Sequence, residues 1–232
     1  MIGNSGMIYS TRPTNMDTPF IQWQTQLLQN DSEGTSLICR DSVHSRGDLL
    51  KHSEKIHEHL KEMGIQKGST VALLGDYSFN SVAAFLALIQ RECIVVPIAP
   101  SSKELQDQIL HISQAEYLIH SEGLNIENQK EPSERHPLIE QLRRANQSGL
   151  ILFSSGSTGE PKAIVHNLEA LLNPMKRPGK AMRTLSFLLF DHIGGIKTLF
   201  HTLAHQGSLI VPHSRQVSDV CRAIELHQVE LL

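Results

Sequence analysis

Apolar positions along the chain alternate between short runs and stripes of helical spacing. Leu49, Ile56, Leu60 and Met63 fall on one face of a helix that Gly64 is placed to close. Residues 71–74 form a compact apolar run suited to a buried strand. Phe79, Val82, Ala83, Leu86 and Ile89 then repeat at three- and four-residue intervals behind Ser78, a suitable N-cap. The β-branched stretch 94–98 predicts the next strand. Ser101 and Glu104 have the spacing of a capping box for a helix with Leu105, Ile109 and Ile112 inward. Residues 117–119 predict a strand, and a polar loop from 121 to about 148 holds at most a short helical turn.

The second half continues the alternation. Residues 150–153, 163–166, 184–189 and 209–211 are strand candidates. Between the last two lies a helix with Ile196, Leu199, Phe200, Leu203 and Ala204 on one face, stopped by Gly207. A last helix turns Val217, Val220 and Ile224 inward and leads into the apolar residues 229–232. Such a sequence of elements predicts an α/β fold of layered, largely parallel sheets flanked by helices. Ligands of such sheets bind beyond the carboxyl ends of strands, which is where the loop after Phe153 falls. An apolar run at the very end reads as a strand cut short, so truncation at Leu232 is expected.

Composition narrows the class. With 232 residues, 40% hydrophobic and 19% charged, the chain is an ordinary globular sequence able to bury a sizeable core. A net charge of -3 provides no basic footprint, so nucleic acid is not an expected partner. The run 82–89 is far short of the roughly 20 apolar residues that span a bilayer, so no membrane span is expected. Residues 1–19 are polar and lack the apolar centre of a signal peptide; they are expected to be a flexible N-terminal segment. Cys39, Cys93 and Cys221 have neither metal spacing nor a disulfide framework, which suits a reducing, cytoplasmic location. His44, His52, His57, His59, His111, His120 and His136 have polar neighbours and read as solvated surface histidines rather than metal ligands.

Residues 154–162, Ser-Ser-Gly-Ser-Thr-Gly-Glu-Pro-Lys, carry the candidate chemistry. Gly156 and Gly159 let a bulky anion approach main-chain N–H groups. Ser154, Ser155, Ser157 and Thr158 provide hydroxyls, Lys162 a mobile point charge, and Pro161 a stiff exit without an N–H. The spacing is not that of a Walker A loop. On composition alone, an anion cradle and a polar hairpin turn between strands ending at Phe153 and beginning at Ala163 remain equal readings.

The stretch from Leu152 to Lys162 resembles the signature of the adenylate-forming superfamily, which includes acyl-CoA synthetases, nonribosomal peptide synthetase adenylation domains and luciferases. Gly68 to Leu74, the helix to Ile89 and Val95-Val96-Pro97-Ile98 are similar to its early strand-helix-strand unit. Gln90-Arg91-Glu92-Cys93 departs from the usual Lys-Ala-Gly at one turn. Asp191-His192-Ile193-Gly194-Gly195 resembles the family's next segment, and the likeness covers 20–232. It implies the N-terminal half of an AMP-binding domain, incomplete at its end, with the small C-terminal domain absent.

The resemblance also implies an ATP-dependent, AMP-forming ligase. Such an enzyme activates a carboxylic acid as acyl-adenylate and passes it to coenzyme A or to the phosphopantetheine of a carrier protein, with Mg2+ assisting. Ser154, Ser155, Gly156, Ser157, Thr158, Gly159 and Lys162 would then hold the ATP phosphates, Lys162 acting as the catalytic residue. His192, Gly194 and Gly195 would line the acyl pocket, the glycines admitting the substrate close to their helix. Asp191 is expected to cap that helix rather than to hold a substrate amine. The family's later adenine- and ribose-binding segments have no match before Leu232. A remnant that binds a nucleotide or partner without catalysis is the alternative.

Overall fold

The computed structural model describes residues 20–130, 132–155 and 161–232. The expected N-terminal segment 1–19 therefore lies outside the described residues. The chain enters as α1 (Phe20–Gln29) and a hairpin of β1 (Thr35–Cys39) and β2 (Ser42–Ser45). Next come α2 (Arg46–Glu62), β3 (Thr70–Leu74), α3 (Phe79–Gln90), β4 (Ile94–Ile98), α4 (Lys103–Ser113) and β5 (Tyr117–His120). β6 (Asn125–Asn128), α5 (Pro137–Arg144), β7 (Gly149–Ser155) and β8 (Pro161–Asn167) follow. Then α6 (Leu168–Leu172) and a 3-10 turn (Asn173–Lys176) lead to β9 (Arg183–Leu185), α7 (Ile193–Ala204), β10 (Ser208–Val211) and α8 (Val217–Leu226).

Two sheets result, ordered β2-β1-β10-β9 and β6-β5-β3-β4-β7-β8. In the first, β1, β10 and β9 are parallel and β2 is an antiparallel edge. In the second, β5, β3, β4 and β7 are parallel, with antiparallel β6 and β8 at the two edges. Alternation along its strands divides the apolar side chains between two cores. Ala72, Ile94, Val96 and Ile151 face Ile109 and Leu110 of α4 and Ile139 and Leu142 of α5. Val71, Leu73, Val95, Leu150 and Leu152 face the larger core that contains α3.

α3 explains why the sheets are held as they are. Every residue from Ser81 to Ile89 is buried, so this helix is apolar all round rather than along a stripe. Its start is fixed by Ser78, whose Oγ accepts from the Ser81 N–H at 3.0 Å. Phe85, at its centre, meets Phe190 and Phe200 edge-on or tilted, with centroids 5.3 and 6.1 Å away. Through Phe190 the core thus reaches the segment just before α7.

Several sequence expectations need correction. α2 ends one residue before Met63, which is 46% exposed. Gly64, at φ 78, turns the chain, and the Ile65 N–H returns to the Leu60 carbonyl, so Ile65 fills the buried place. α4 is capped by Ser102 and not Ser101; that one-residue slip leaves Leu105 and Ile112 exposed and buries Ile109, Leu110 and Ser113. The region read as polar loop contains β6 and α5. α5 buries Ile139 and Leu142 in the core, while Glu116 accepts from Arg143 within it and from Arg135 just before it. The strand expected over 184–189 stops at Leu185, because the Phe187 and Leu188 carbonyls accept from Arg215 instead of a ladder. Gln206, at φ 60, makes the turn after α7, while Gly207 is buried where a Cβ would lie 2.4 Å from the Met182 carbonyl. In α8 the buried residue is Ala223, and Val217 is 79% exposed. Residues 229–232 contribute one bridge, Thr184 to Leu231.

α1 is not among the expected elements although Phe20, Trp23, Leu27 and Leu28 stand at helical spacing, whereas the β1–β2 hairpin carries no strong pattern. The hairpin turns on Arg40 and Asp41 at φ 48 and 71, a conformation usually signalled by glycine or asparagine. Of the histidines read as solvated, His44 and His52 stack on Phe79, and His136 caps α5. Truncating Phe85 to Ala should lower the unfolding free energy by about 3–5 kcal/mol in urea titrations, as for large core aromatics. Faster amide exchange at Phe190 should accompany it.

Candidate functional site

The β7–β8 hairpin places the candidate loop at the end of a buried strand. Its antiparallel register pairs Ser154 with Lys162, Leu152 with Ile164 and Leu150 with His166. Period-two alternation then puts Ser154, Lys162, Ile164 and His166 on one face. Phe153 and Val165, on the other, pack toward α4 and α5. Gly156, Ser157, Thr158 and Gly159 lie outside the described residues, and Ser155 is described only as backbone paired with Pro161. Lys162 and Ser154 are exposed, and Lys162 has no ion-pair partner among the described residues.

The start of α7 faces this hairpin. His192 is its N-cap, and its Nδ1 accepts from the Gly194 N–H at 3.1 Å. An accepting nitrogen carries no proton, so the ring hydrogen sits on Nε2 and is free to donate. Asp191 is therefore not the cap expected from the sequence. Its Oδ2 accepts from the Ala99 N–H at 3.0 Å, tying the start of α7 to the carboxyl end of β4. Gly195 is buried with its open side filled by the chain itself: a Cβ there would lie 2.2 Å from the Leu189 carbonyl and 3.2 Å from the Tyr77 hydroxyl. Tyr77 also donates to the Gly195 carbonyl at 2.7 Å. At Gly194 a Cβ would meet Leu188 at 2.4 Å. Both glycines thus answer to close packing by the chain's own atoms.

Between hairpin and helix lies a cleft of about 350 Å³, lined by Leu152, Ser154, Ile164, His166, His192 and Ile193, with Phe153 and Asp191 completing it. Its walls are largely apolar with a few convergent polar groups, the usual character of a small-molecule site. Burial, with Lys197 nearby, holds the His166 imidazole below the ordinary histidine range. A separate cleft of about 300 Å³ opens beyond β3 and β5 between Arg40, Asp76 and Glu122, away from the hairpin.

Asp76 and Arg215 hold the wall of α7 in place from behind. Arg215 grips the Asp76 carboxylate with both terminal nitrogens and donates from Nε to the Phe187 carbonyl at 2.7 Å. Asp76 also accepts from the N–H groups of Tyr77 and Phe190 at 2.8 and 3.3 Å. Burial would raise its carboxyl, but Arg215 and these N–H groups outweigh it and hold Asp76 below the usual carboxylate range. Among the described residues no group of three or more His, Cys, Asp and Glu side chains is placed to hold a metal ion. No helix among them is long and apolar enough to cross a membrane.

The structure therefore brings Ser154 and His192 to one cleft; Lys162 shares the strand face of Ser154 but lies outside the cleft lining, and Gly194 and Gly195 follow His192 in the first turn of α7. Sequence reading missed His166, Tyr77 and the Asp76–Arg215 pair. His166 was reachable: it stands an even number of residues beyond Lys162 in a strand. The others join segments more than a hundred residues apart and leave no local signal.

Comparison with known proteins agrees with this geometry. A family model described as AMP-binding enzyme matches residues 24–232. The AM-toxin synthetase AMT1 of Alternaria alternata is 28% identical over 192 residues, 74% of this chain and 4% of that protein. The N-terminal subdomain of Klebsiella oxytoca NpsA, solved with 3-hydroxybenzoyl-AMSN, superimposes with a TM-score of 0.74 at 19% identity, over 91% of this chain and 59% of that one. The o-succinylbenzoate CoA synthetase MenE of Bacillus subtilis, solved with the acyl-adenylate intermediate OSB-AMP, gives 0.72 at 19% identity over 90% and 60%. The chain thus spans a small part of its curated relative and about three fifths of these solved chains.

Asp76 supplies a pH test of the α7 anchor. A carboxyl depressed in the folded state stabilises at pH values above its unfolded pKa, and that stability is lost as pH falls through the native value. Asp76→Asn should cost about 1–3 kcal/mol at pH 7, discounted from the cost of breaking a fully buried pair. The difference from wild type should shrink below about pH 4, where unfolded carboxyls protonate. Urea midpoints at pH 7 and pH 3 check both the size and the sign.

Proposed function

The chain belongs to the AMP-binding enzyme family, and on that premise we propose that it serves ATP-dependent, AMP-forming activation of a carboxylic acid. In this reading residues 20–232 are the N-terminal half of an adenylating domain, and the product is an acyl-adenylate passed to a thiol, either coenzyme A or carrier phosphopantetheine. One observation carries it: Ser154 lines the cleft opposite His192, and its register partner Lys162, without an ion-pair partner among the described residues, stands on the same strand face. NpsA and MenE were solved with an acyl-AMSN ligand and an acyl-adenylate, which supports placing that chemistry here.

The residues fit their parts. A carboxylate oxygen of the acid attacks the α-phosphorus of ATP; the bond to the bridging oxygen breaks, and pyrophosphate leaves with the electron pair. Lys162, with no ion-pair partner among the described residues, spreads the charge of the departing phosphates, and the Ser154 hydroxyl donates to a phosphate oxygen. Ser155, Gly156, Ser157, Thr158 and Gly159 complete the cradle in this proposal. In this proposal the His192 Nε2–H, left over from the Nδ1 cap, donates to the acyl oxygen. With no metal cluster of its own among the described residues, this wall would meet Mg2+ on the ATP phosphates, where the ion supplies charge neutralisation.

The test is exchange of labelled pyrophosphate into ATP over a panel of acids. Wild type should exchange with at least one acid, and Lys162→Ala should slow exchange about 100-fold, the scale of losing one transition-state donor. An unchanged rate in the variant would remove Lys162 from the reaction. Thermal protection by ATP without exchange on any acid would favour the non-catalytic nucleotide-binding reading.

A further inference from the structure

His166 is the polar group of the cleft that the reaction does not use. It follows Lys162 by four residues on the same face of β8, so about 13 Å of strand separates them. Leu150, its register partner, is fully buried, and Leu152, Ile164 and Ile193 line the cleft with it. The other histidine of the cleft, His192, is committed to capping α7. His166 has no hydrogen-bond partner among the described residues, and it is half-buried in apolar surroundings.

Position decides what it would touch. The acid's carboxylate must lie at the Ser154–Lys162 end, where the phosphates are. The remote end of a compact acid then points along β8 toward His166. A neutral imidazole presents one donor and one acceptor, which suits a hydroxyl or an uncharged amino group, and the nearby Lys197 disfavours a protonated amine there. A cleft of about 350 Å³ suits a compact acid better than a long alkyl chain.

Resting on the adenylating reading above, we propose that His166 is a specificity-determining residue, hydrogen-bonding a neutral hydroxyl or amino substituent at the end of the acid remote from its carboxylate. The substrate class is therefore a compact acid bearing such a substituent, in preference to its unsubstituted counterpart. Sites built to hydrogen-bond a substrate group discriminate against analogues lacking it, because the site's own polar atoms are left unpaired.

Calorimetry on the full chain, with acyl-sulfamoyl adenosines as probes, tests this. Wild type should bind the better of the 3- and 4-hydroxybenzoyl probes about tenfold more tightly than the benzoyl probe. His166→Phe should erase that preference while leaving benzoyl affinity within about twofold, and His166→Gln should retain part of it. Equal affinities in wild type, or a preference that survives in His166→Phe, overturn the assignment of His166 alone. If neither the acyl probes nor unacylated sulfamoyl adenosine binds wild type, the adenylating reading fails and this proposal falls with it. Should His166→Phe not fold, His166→Gln and the imidazole nitrogen shifts of His166 in wild type decide: movement with the hydroxylated probe alone supports the proposal, and equal movement overturns it.

Discussion

The complete burial of α3 is the constraint on which the rest of the structure depends. A helix with polar residues on one side can sit on a surface, but Val82 through Ile89 has no such side. It must be covered all round, and only two layers closing on it can do that. The six-stranded sheet covers one side through Val71, Leu73 and Val95; Phe190, Leu199, Phe200, α1 and α2 cover the others. The segment leading into α7 is thus part of the core before it is part of any site. His192 inherits a fixed position from Phe190, two residues earlier, which Phe85 and Tyr77 hold edge-on at 5.3 and 4.9 Å.

The opposite wall is fixed by a different rule. β7 enters in parallel with β4, whereas β8 returns antiparallel and forms the sheet's edge. The pairing of Ser155 with Pro161 puts the described end of this hairpin at the carboxyl end of a parallel strand, the side on which ligands of such sheets bind. Because the side-chain period is two, the pairing of Ser154 with Lys162 decides every other position on β8. A one-residue slip would turn Lys162 and His166 away from α7 and bring Ala163 and Val165 inward. Leu150 and Leu152, fully or nearly buried on the α3 side, oppose that slip.

This division also explains what the sequence made legible. Where a segment's partner is the common core, period alone identifies it: β3, β4, α3 and the Ser78 cap lie where the apolar pattern puts them. Where a segment is held by polar or main-chain contacts, the pattern is silent or misleading. α5 is eight residues long and buries only Ile139 and Leu142, with Glu116 adding an ion pair to Arg143, so its short apolar pair is lost in a polar stretch. Phe187, Leu188 and Leu189 look like strand by composition, yet they are 52, 42 and 42% exposed, because Arg215 occupies two of their carbonyls. Ser154, Lys162 and His192 were reachable through a local motif and its likeness to a family. His166 was reachable from the strand expected over 163–166 by its even spacing from Lys162, but its place in the cleft follows only from the register with β7.

Asp191 and His192 show how such contacts assign chemistry between adjacent residues. Asp is the better N-cap by intrinsic preference. Were Asp191 to take that role, its carboxylate would turn to the first turn of α7 and leave the Ala99 N–H at the end of β4. Instead Asp191 spends its charge on that strand end at 3.0 Å, and the cap falls to His192 through Nδ1. A histidine capping through Nδ1 has its tautomer set by the backbone, with its proton on Nε2. The carboxylate thereby acts as a tether between two elements, and the imidazole one residue later becomes a neutral donor of fixed orientation. Asp191 still borders the cleft, but its Oδ2 is engaged by the Ala99 N–H, so one carboxylate oxygen is committed to the end of β4 while the His192 imidazole presents a donor beside it.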